Sequence, residues 1–324
     1  MDRPIVTCGA TSGIGARQRI ELFHARYPWS FKKGSRGPAG SFFTGLLHAY
    51  GQPKSVSPPI RSSQGSAPTP HSTEPGASMP HVQVSVDTHD GVCAATLHTP
   101  SDVGAWPGVI LYPDAGGVRG TFAAMADRLA GMGYSVLLPD VYYRTEWAPF
   151  DIATVFDDPS ERERLAALSV SVDADMVVRD AGAFLAYLAR HPAVAGTRVG
   201  TVGYCMGGRM SLTAAAHHAD RIAAAASFHG GELAAAGDPD SPHLLAHLMR
   251  GTIYVAAAQD DKVFPADQHE RLRSALSGAG VRYTLETYAA AHGFAVPDIP
   301  PHDADAERRH WDALARLYGE NLSG

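Results

Sequence analysis

The stretch Gly203-Tyr204-Cys205-Met206-Gly207-Gly208 stands at the junction of two predicted elements. A run typical of a buried strand, Arg198 to Tyr204, precedes it, and a predicted helix, Gly207 to His217, follows. Glycines two residues before and two residues after a central residue permit the sharp strand-to-helix turn that presents a nucleophile. The stretch therefore predicts such a turn, with Cys205 in the place of the more usual serine.

The chemistry expected at this turn follows from its position. The N-terminus of the helix favours a thiolate at Cys205, and the Met206 backbone N–H would face a developing oxyanion. The alternative interpretation of a cysteine is a small buried hydrophobic residue, as most free cysteines are. That interpretation suits Cys93, which lies in a predicted strand, and Cys8, near the N-terminus. At Cys205 the flanking glycines favour the nucleophile.

On both sides of this turn, the chain alternates predicted strands and helices. Residues 82–86 and 92–97 predict a hairpin around Asp90-Gly91. Further strands are predicted at 108–112, 134–138, 198–204, 222–228, 253–257 and 283–288, and helices at 121–132 (with Thr121 as N-cap), 173–190, 207–217, 265–278 and 304–318. A hairpin followed by repeated β-α-β units predicts an α/β fold with a mostly parallel central sheet flanked by helices. Ligands of such sheets bind at the carboxyl ends of the strands.

Two adjacent acids follow the strand that begins near Ile253. Either Asp260 or Asp261 could orient a histidine and stabilise its cation. The alternative is an acid that favours the N-terminus of the helix beginning at Pro265. The residues alone leave this choice open.

A histidine follows the last predicted strand, in Ala291-His292-Gly293-Phe294. With 16 histidines in the chain, one alone indicates little. However, the order nucleophile, acid, histidine is that of α/β-hydrolase triads, and all three candidates follow predicted parallel strands. We therefore predict a Cys-His-Asp triad with His292 as the base. No pattern with metal-ligand spacing is present, so no metal is expected.

Composition limits the other functions. Of 324 residues, 45% are hydrophobic, which is enough for a full core, and a net charge of −6 argues against a nucleic-acid partner. No apolar run approaches 18 residues, so no membrane span is expected. Three cysteines cannot form a disulfide framework, which favours a reducing, cytoplasmic location. A monomer and a homodimer are equally compatible with the sequence.

Residues 1–78 differ from the rest of the chain. They carry a net charge of +6, and 17 of the 30 residues from Gly51 to Pro80 are Pro, Ser or Gly. This composition predicts a disordered tail, with residues 79–324 as one folded domain. The tail loosely fits a transit peptide; alternatively it plays no part in the fold, or translation begins at Met79.

A glycine motif in the tail, Gly9-Ala10-Thr11-Ser12-Gly13-Ile14-Gly15, resembles the nucleotide-binding turn of short-chain dehydrogenases. The chain after Tyr27-Pro28 becomes rich in Gly, Ser and Pro instead of continuing as βαβ units. The Tyr-x-x-x-Lys pair of that family is also absent from the sequence. A nucleotide-binding dehydrogenase is therefore a weak alternative.

The chain from Val82 to Tyr318 resembles the dienelactone hydrolase family of α/β-hydrolases. Besides the three triad segments, the similar stretches are Tyr112-Pro113-Asp114-Ala115-Gly116-Gly117 and Leu138-Pro139-Asp140-Val141-Tyr142-Tyr143-Arg144. The resemblance implies hydrolysis of a small ester or lactone through a thioester acyl-enzyme, without a cofactor. A binding protein of the same fold without activity is the alternative from another functional class.

The resemblance also implies individual roles. Cys205 is the nucleophile, His292 the base, and Asp261 the acid, because the family has a proline four residues after it, as Pro265 is here. The Ala115 and Met206 backbone N–H groups form the oxyanion hole. Asp114 stands where the family has a thiol-activating glutamate. Arg144 and Tyr204 are expected to bind substrate.

Two positions depart from the family pattern. Asp114 is one methylene shorter than the family glutamate, so the thiol is expected to be gated differently. Val296 stands where the family has a second arginine for the substrate carboxylate, which makes dienelactone itself a less obvious substrate and favours a less anionic or larger ester or lactone. Residues 142–172, which contain several aromatic residues, form either a cap over the pocket or an ordinary connection.

Overall fold

The computed structural model describes residues 79–322. The predicted tail, including its glycine motif at residues 9–15 and Cys8, lies outside the described residues. The described chain contains these elements in order: β1 (His81–Thr88), β2 (Gly91–His98), β3 (Trp106–Tyr112), α1 (Gly120–Gly131), β4 (Ser135–Pro139), α2 (Pro159–Ser169), α3 (Ala174–Arg190), β5 (Val194–Tyr204), α4 (Met206–His217), β6 (Ile222–Phe228), a 3₁₀ helix (Pro242–Leu248), β7 (Thr252–Ala258), α5 (Ala266–Gly278), β8 (Tyr283–Tyr288) and α6 (Ala304–Asn321).

The eight strands form one sheet in the order β1-β2-β4-β3-β5-β6-β7-β8. The β1–β2 hairpin closes with Thr88 opposite Gly91, and β2 runs antiparallel to β4. From β4 to β8 every neighbouring pair is parallel. The prediction of an α/β-hydrolase fold with a mostly parallel sheet is thereby confirmed.

Two of the inner strands are buried along their whole length because helices cover the sheet. All residues of β4 and β6 are buried, as expected for strands covered on both faces. Helix α4 packs against β5 and β6, and α6 packs against β6 and β7. Among residues 79–322, no helix has the length and apolar character needed to cross a bilayer.

One predicted helix start was wrong, and one helix had been given no bounds. Helix α1 begins at Gly120 with Arg119 as N-cap, so Thr121 lies inside the helix and does not cap it. Helix α2 lies within residues 142–172, where the sequence offered a helix only as part of an ordinary connection. It begins after Asp158, whose carboxylate accepts hydrogen bonds from the Ser160 and Glu161 N–H groups.

This topology brings four loops to one edge of the sheet. The segments after β3, β5, β7 and β8 all leave carboxyl ends of parallel strands. They carry the predicted functional residues: Asp114 and Ala115, Cys205 and Met206, Asp261, and His292.

Candidate active site

Cys205 occupies the turn between β5 and α4. Its backbone angles are φ 53° and ψ −115°, a conformation that non-glycine residues rarely adopt. The Cys205 N–H donates a hydrogen bond of 3.1 Å to the Phe228 carbonyl at the end of β6. The neighbouring strand therefore holds this strained residue in place.

The two flanking glycines are required by close backbone contacts. A Cβ atom on Gly203 would lie 1.8 Å from the Gly207 carbonyl oxygen. A Cβ atom on Gly207 would lie 2.4 Å from the carbonyl oxygens of Tyr112 and Pro113, at the end of β3. Any larger residue at either position would push β5, α4 and β3 apart, which explains the spacing of the sequence motif.

The Cys205 sulfur lies at the N-terminal end of α4, where the helix dipole stabilises negative charge. The residue is buried, and it forms part of the wall of a small pocket together with Asp114, Ala115 and Gly116. The thiol is thus reached from the pocket, between the loop after β3 and the start of α4.

His292 and Asp261 form a buried pair beside the thiol. The His292 Nδ1 lies 2.7 Å from the Asp261 Oδ2, and both side chains are at most 1% exposed. The other carboxylate oxygen of Asp261 accepts a 2.9 Å hydrogen bond from the Val263 N–H. This hydrogen bond fixes the carboxylate, and the carboxylate in turn fixes the plane of the imidazole.

Burial alone would lower the pKa of His292. The negative charges of Asp261 and Cys205, and hydrogen bonds to both side chains, outweigh burial and raise that pKa well above its ordinary value. An imidazolium at His292 is therefore strongly stabilised, as a base that has taken the thiol proton requires.

The adjacent acid lies in a different environment. Asp260 is exposed and has a positive φ of 54°, whereas Asp261 is buried against His292. The structure thus brings Asp261, and not Asp260, to the histidine.

The two predicted oxyanion-hole residues come from two different loops at the carboxyl ends of the strands. Ala115 is on the loop after β3, and Met206 is the first residue of α4. The Tyr142 hydroxyl donates to the Ala115 carbonyl oxygen at 2.9 Å and lies 3.4 Å from the Met206 sulfur. Tyr142 therefore couples the positions of the two residues.

Asp114 lines the pocket, but its carboxylate is engaged by Arg119. Arg119 Nη1 and Nη2 donate to Asp114 Oδ1 and Oδ2 at 2.7 and 2.9 Å, and the Gly116 N–H also donates to Oδ1 at 2.9 Å. Arg119 binds Asp298 on its other side. The sequence did not indicate either partner of Arg119, and this ion pair restrains the residue expected to activate the thiol.

The structure places the two predicted substrate-binding residues away from the pocket wall. The Arg144 guanidinium binds Asp90 and Asp180 and is 6% exposed. The Tyr204 hydroxyl is buried and lies 2.8 Å from His310 Nε2. Neither placement supports the expected contact with substrate.

His229, which the sequence analysis did not single out, lies against His292. It follows β6, has a positive φ of 39°, and is fully buried. Its ring centroid is 5.2 Å from that of His292 and 5.0 Å from that of Phe294. Neither ring nitrogen has a hydrogen-bond partner among residues 79–322. Burial, followed by the charges of His292 and His310, holds the pKa of His229 well below its ordinary value.

This burial predicts acid sensitivity. An unfolded chain binds a proton at His229 below its ordinary pKa of about 6.5, whereas the folded protein does not. Stability should therefore fall as the pH drops below that value, by up to about 1.4 kcal/mol per pH unit for this residue. His229→Phe keeps an aromatic ring but cannot be protonated.

The measurement is urea unfolding of wild type and His229→Phe between pH 7 and pH 5. The difference in unfolding free energy between the two proteins should shift in favour of the variant as the pH falls. A difference that stays constant over this range would contradict the prediction, and any constant cost of phenylalanine at this backbone conformation does not affect the slope.

One group of described residues has potential metal-ligand geometry. Donor atoms of His81, His98 and Asp127 lie within 4.8 Å of one another. Both nitrogens of His98 already have protein partners, since Nδ1 lies 2.6 Å from Asp127 Oδ1 and Nε2 lies 2.9 Å from Thr96 Oγ1. These hydrogen bonds explain the cluster without an ion, and the expected absence of a metal stays a prediction.

A cysteine on a glycine-flanked strand-to-helix turn, with a histidine and an acid on later loops of the same sheet edge, defines an α/β-hydrolase architecture. The chain belongs to the dienelactone hydrolase family, whose sequence profile matches residues 93–322. Membership of this family supports hydrolysis of an ester or lactone.

Individual relatives are distant. The carboxymethylenebutenolidase of Pseudomonas putida is 32% identical over 142 residues, covering 43% of this chain and 57% of that protein. The carboxymethylenebutenolidase of Rhodococcus opacus is 25% identical over 231 residues, covering 70% and 86%. A solved dienelactone hydrolase-like promiscuous phosphotriesterase from metagenomic libraries is 26% identical, with a TM-score of 0.61, covering 75% of this chain and 99% of that one.

Proposed function

We propose that this protein hydrolyses a small-molecule ester or lactone through a Cys205-His292-Asp261 triad and a thioester intermediate. The observation that carries the proposal is the buried His292, which is hydrogen-bonded to Asp261 at 2.7 Å and interacts with the Cys205 thiol. A fixed base between an acid and a nucleophile is the arrangement that nucleophilic acyl transfer requires.

Acylation begins when His292 takes the proton of the Cys205 thiol. The sulfur attacks the carbonyl carbon of the substrate, and the Ala115 and Met206 N–H groups stabilise the resulting oxyanion. The bond between the carbonyl carbon and the leaving oxygen then breaks. His292 returns its proton to the leaving alkoxide, so the alcohol departs and the acyl group remains on sulfur.

Deacylation uses the same residues. His292 takes a proton from water, and the hydroxide attacks the thioester carbonyl carbon. The carbon–sulfur bond breaks, the thiolate recovers the proton from His292, and the carboxylic acid is released. Asp261 stabilises the imidazolium in both halves of the reaction, which is consistent with the raised pKa of His292.

Alkylation tests the assignment of the nucleophile. Cys93 is buried, and burial, with the charges of Asp180 and Asp140, raises its pKa to about 12. It should therefore not react with iodoacetamide at pH 8, because thiolates and not thiols are alkylated. In a Cys8→Ser background, iodoacetamide should add one group, at Cys205, and hydrolysis of p-nitrophenyl acetate should fall in proportion to labelling.

A Cys93→Ala variant in the same background is the matched control, and it should lose activity to the same extent. Full activity after stoichiometric labelling of Cys205 would refute the proposed nucleophile. Absence of ester hydrolysis by the untreated protein would instead favour the binding-protein alternative.

A further inference from the structure

The pocket beside Cys205 has an apolar wall. Four hydrophobic side chains form it, three of them from the segment between β4 and α3 and one from the loop after β8. They are Ile152, Phe156, Leu165 and Ile299. Ile152, Leu165 and Ile299 are each less than 9% exposed, and Phe156 is half-buried. Since residues 142–172 supply most of this wall, they act as a cap over the pocket.

None of the described residues that line this pocket carries a positive charge. Outside the proposed triad, the cation next to this pocket is Arg119, and all five of its N–H donors have partners. Nε donates to Asp298; Nη1 donates to Asp114 and to the Gly117 carbonyl; Nη2 donates to Asp114 and Asp298. The guanidinium is 12% exposed. A substrate carboxylate would therefore find no unoccupied donor on Arg119.

The local charge also disfavours an anion. Arg119 carries one positive charge between two carboxylates, so Asp114, Arg119 and Asp298 together carry one negative charge. Asp114 is the member of this group that lines the pocket. A carboxylate placed in the pocket would face a like charge in a partly desolvated site, where such repulsion is poorly screened.

Arg144 does not supply a cation for a substrate carboxylate either. Its Nε and Nη2 donate to Asp90, and its Nη1 and Nη2 donate to Asp180, at 2.6 to 2.9 Å. The Arg144 side chain is 6% exposed and is not among the residues that line the pocket, so a substrate carboxylate in the pocket would not meet it.

From this apolar wall, and from two arginines that are already paired with carboxylates, we propose that the site takes an uncharged acyl group with an apolar chain, and that it discriminates against substrates bearing a carboxylate. The inference rests on the proposed esterase function and specifies its substrate class. Ile152, Phe156 and Leu165 are the specificity-determining residues, because they are the part of the pocket wall that residues 142–172 supply.

The test compares acyl groups on one leaving group. Each buried CH₂ is worth about fourfold in transfer equilibrium, and butanoate has two more than acetate. The kcat/KM should therefore rise about 15-fold from p-nitrophenyl acetate to p-nitrophenyl butanoate. p-Nitrophenyl hexanoate and the p-nitrophenyl monoester of adipic acid have the same number of acyl carbons. The anionic monoester should be hydrolysed at least about 10-fold less efficiently than the hexanoate.

A charge introduced at the wall gives a second measurement. Phe156→Arg should lower the hexanoate-to-adipate ratio by about 10-fold, whereas the matched apolar variant Phe156→Leu should leave it above 1. If Phe156→Arg does not fold, the wild-type ratio alone decides the inference. A wild-type ratio at or below 1, or no gain from acetate to butanoate, would overturn it.

Different assay results would refute the proposed substrate class and the proposed triad. Acetate hydrolysis that depends on Cys205 without the expected acyl preference leaves the triad standing and refutes only the substrate class. Hydrolysis that does not depend on Cys205, or no hydrolysis of any ester, refutes the triad itself.

Discussion

Replacing Cys205 with alanine should lower kcat for p-nitrophenyl acetate by at least about 10⁴-fold. Loss of a nucleophile that acts as a unit with its base removes nearly the whole contribution of the triad. Binding and the oxyanion donors leave a residual acceleration over water, so the variant should be slow but measurable. The experiment is an initial-rate assay with purified variant, corrected for the spontaneous rate.

Two controls make this result specific. Cys93→Ala also removes a buried sulfur from the sheet but should keep kcat within a few-fold of wild type. Thermal unfolding of Cys205→Ala should show a folded protein, since alanine fits the space of cysteine at the same backbone angles. A Cys205→Ala protein whose kcat stays within 10-fold of wild type would exclude a covalent mechanism through this sulfur.

Replacing Asp261 with asparagine should lower kcat by about 10⁴-fold, the effect expected when the carboxylate that orients a catalytic histidine becomes neutral. The amide no longer stabilises the imidazolium, and it can hold His292 in the wrong tautomer. The charge of Asp261 also contributes to the raised pKa of His292, so that pKa should fall in the variant.

The neighbouring residue supplies the matched control. Asp260→Asn makes the same chemical change one position away, on an exposed side chain. It should alter kcat by no more than a few-fold. Equal losses in the two variants would mean that the general charge of this loop matters, and not the contact with His292. A larger loss at Asp260 would reverse the assignment.

The parts of the fold that follow from local pattern could be predicted from sequence. Buried strands such as β4 and β6 read as short apolar runs, and the turn at Cys205 has glycines where backbones meet at 1.8 and 2.4 Å. The order of the nucleophile, acid and histidine along the chain predicted that all three lie at the carboxyl ends of parallel strands. Choosing between Asp260 and Asp261 needed the resemblance, because adjacent identical residues carry no local difference.

Long-range partners could not be predicted. Arg144 meets Asp180 and Asp90, which lie 36 and 54 residues away, and Arg119 meets Asp298 at a separation of 179. No pattern around an arginine tells which acid the folded chain will bring to it. Arg144 was expected at the substrate because of the family resemblance, and nothing in the sequence showed that two acids would engage it instead. His229 was missed for a related reason, since its proximity to His292 depends on the parallel order of strands.

β8 is the last strand to be synthesised, and this determines when Cys205 and His292 can come together. A chain emerging from the ribosome presents Cys205 long before His292, and its base arrives only with the loop after the last strand. Domains generally fold as units during synthesis. A partly synthesised chain therefore carries Cys205 without His292, and the two side chains can meet only once β8 has docked on β7. Contact between them in this sense reports that the sheet is complete.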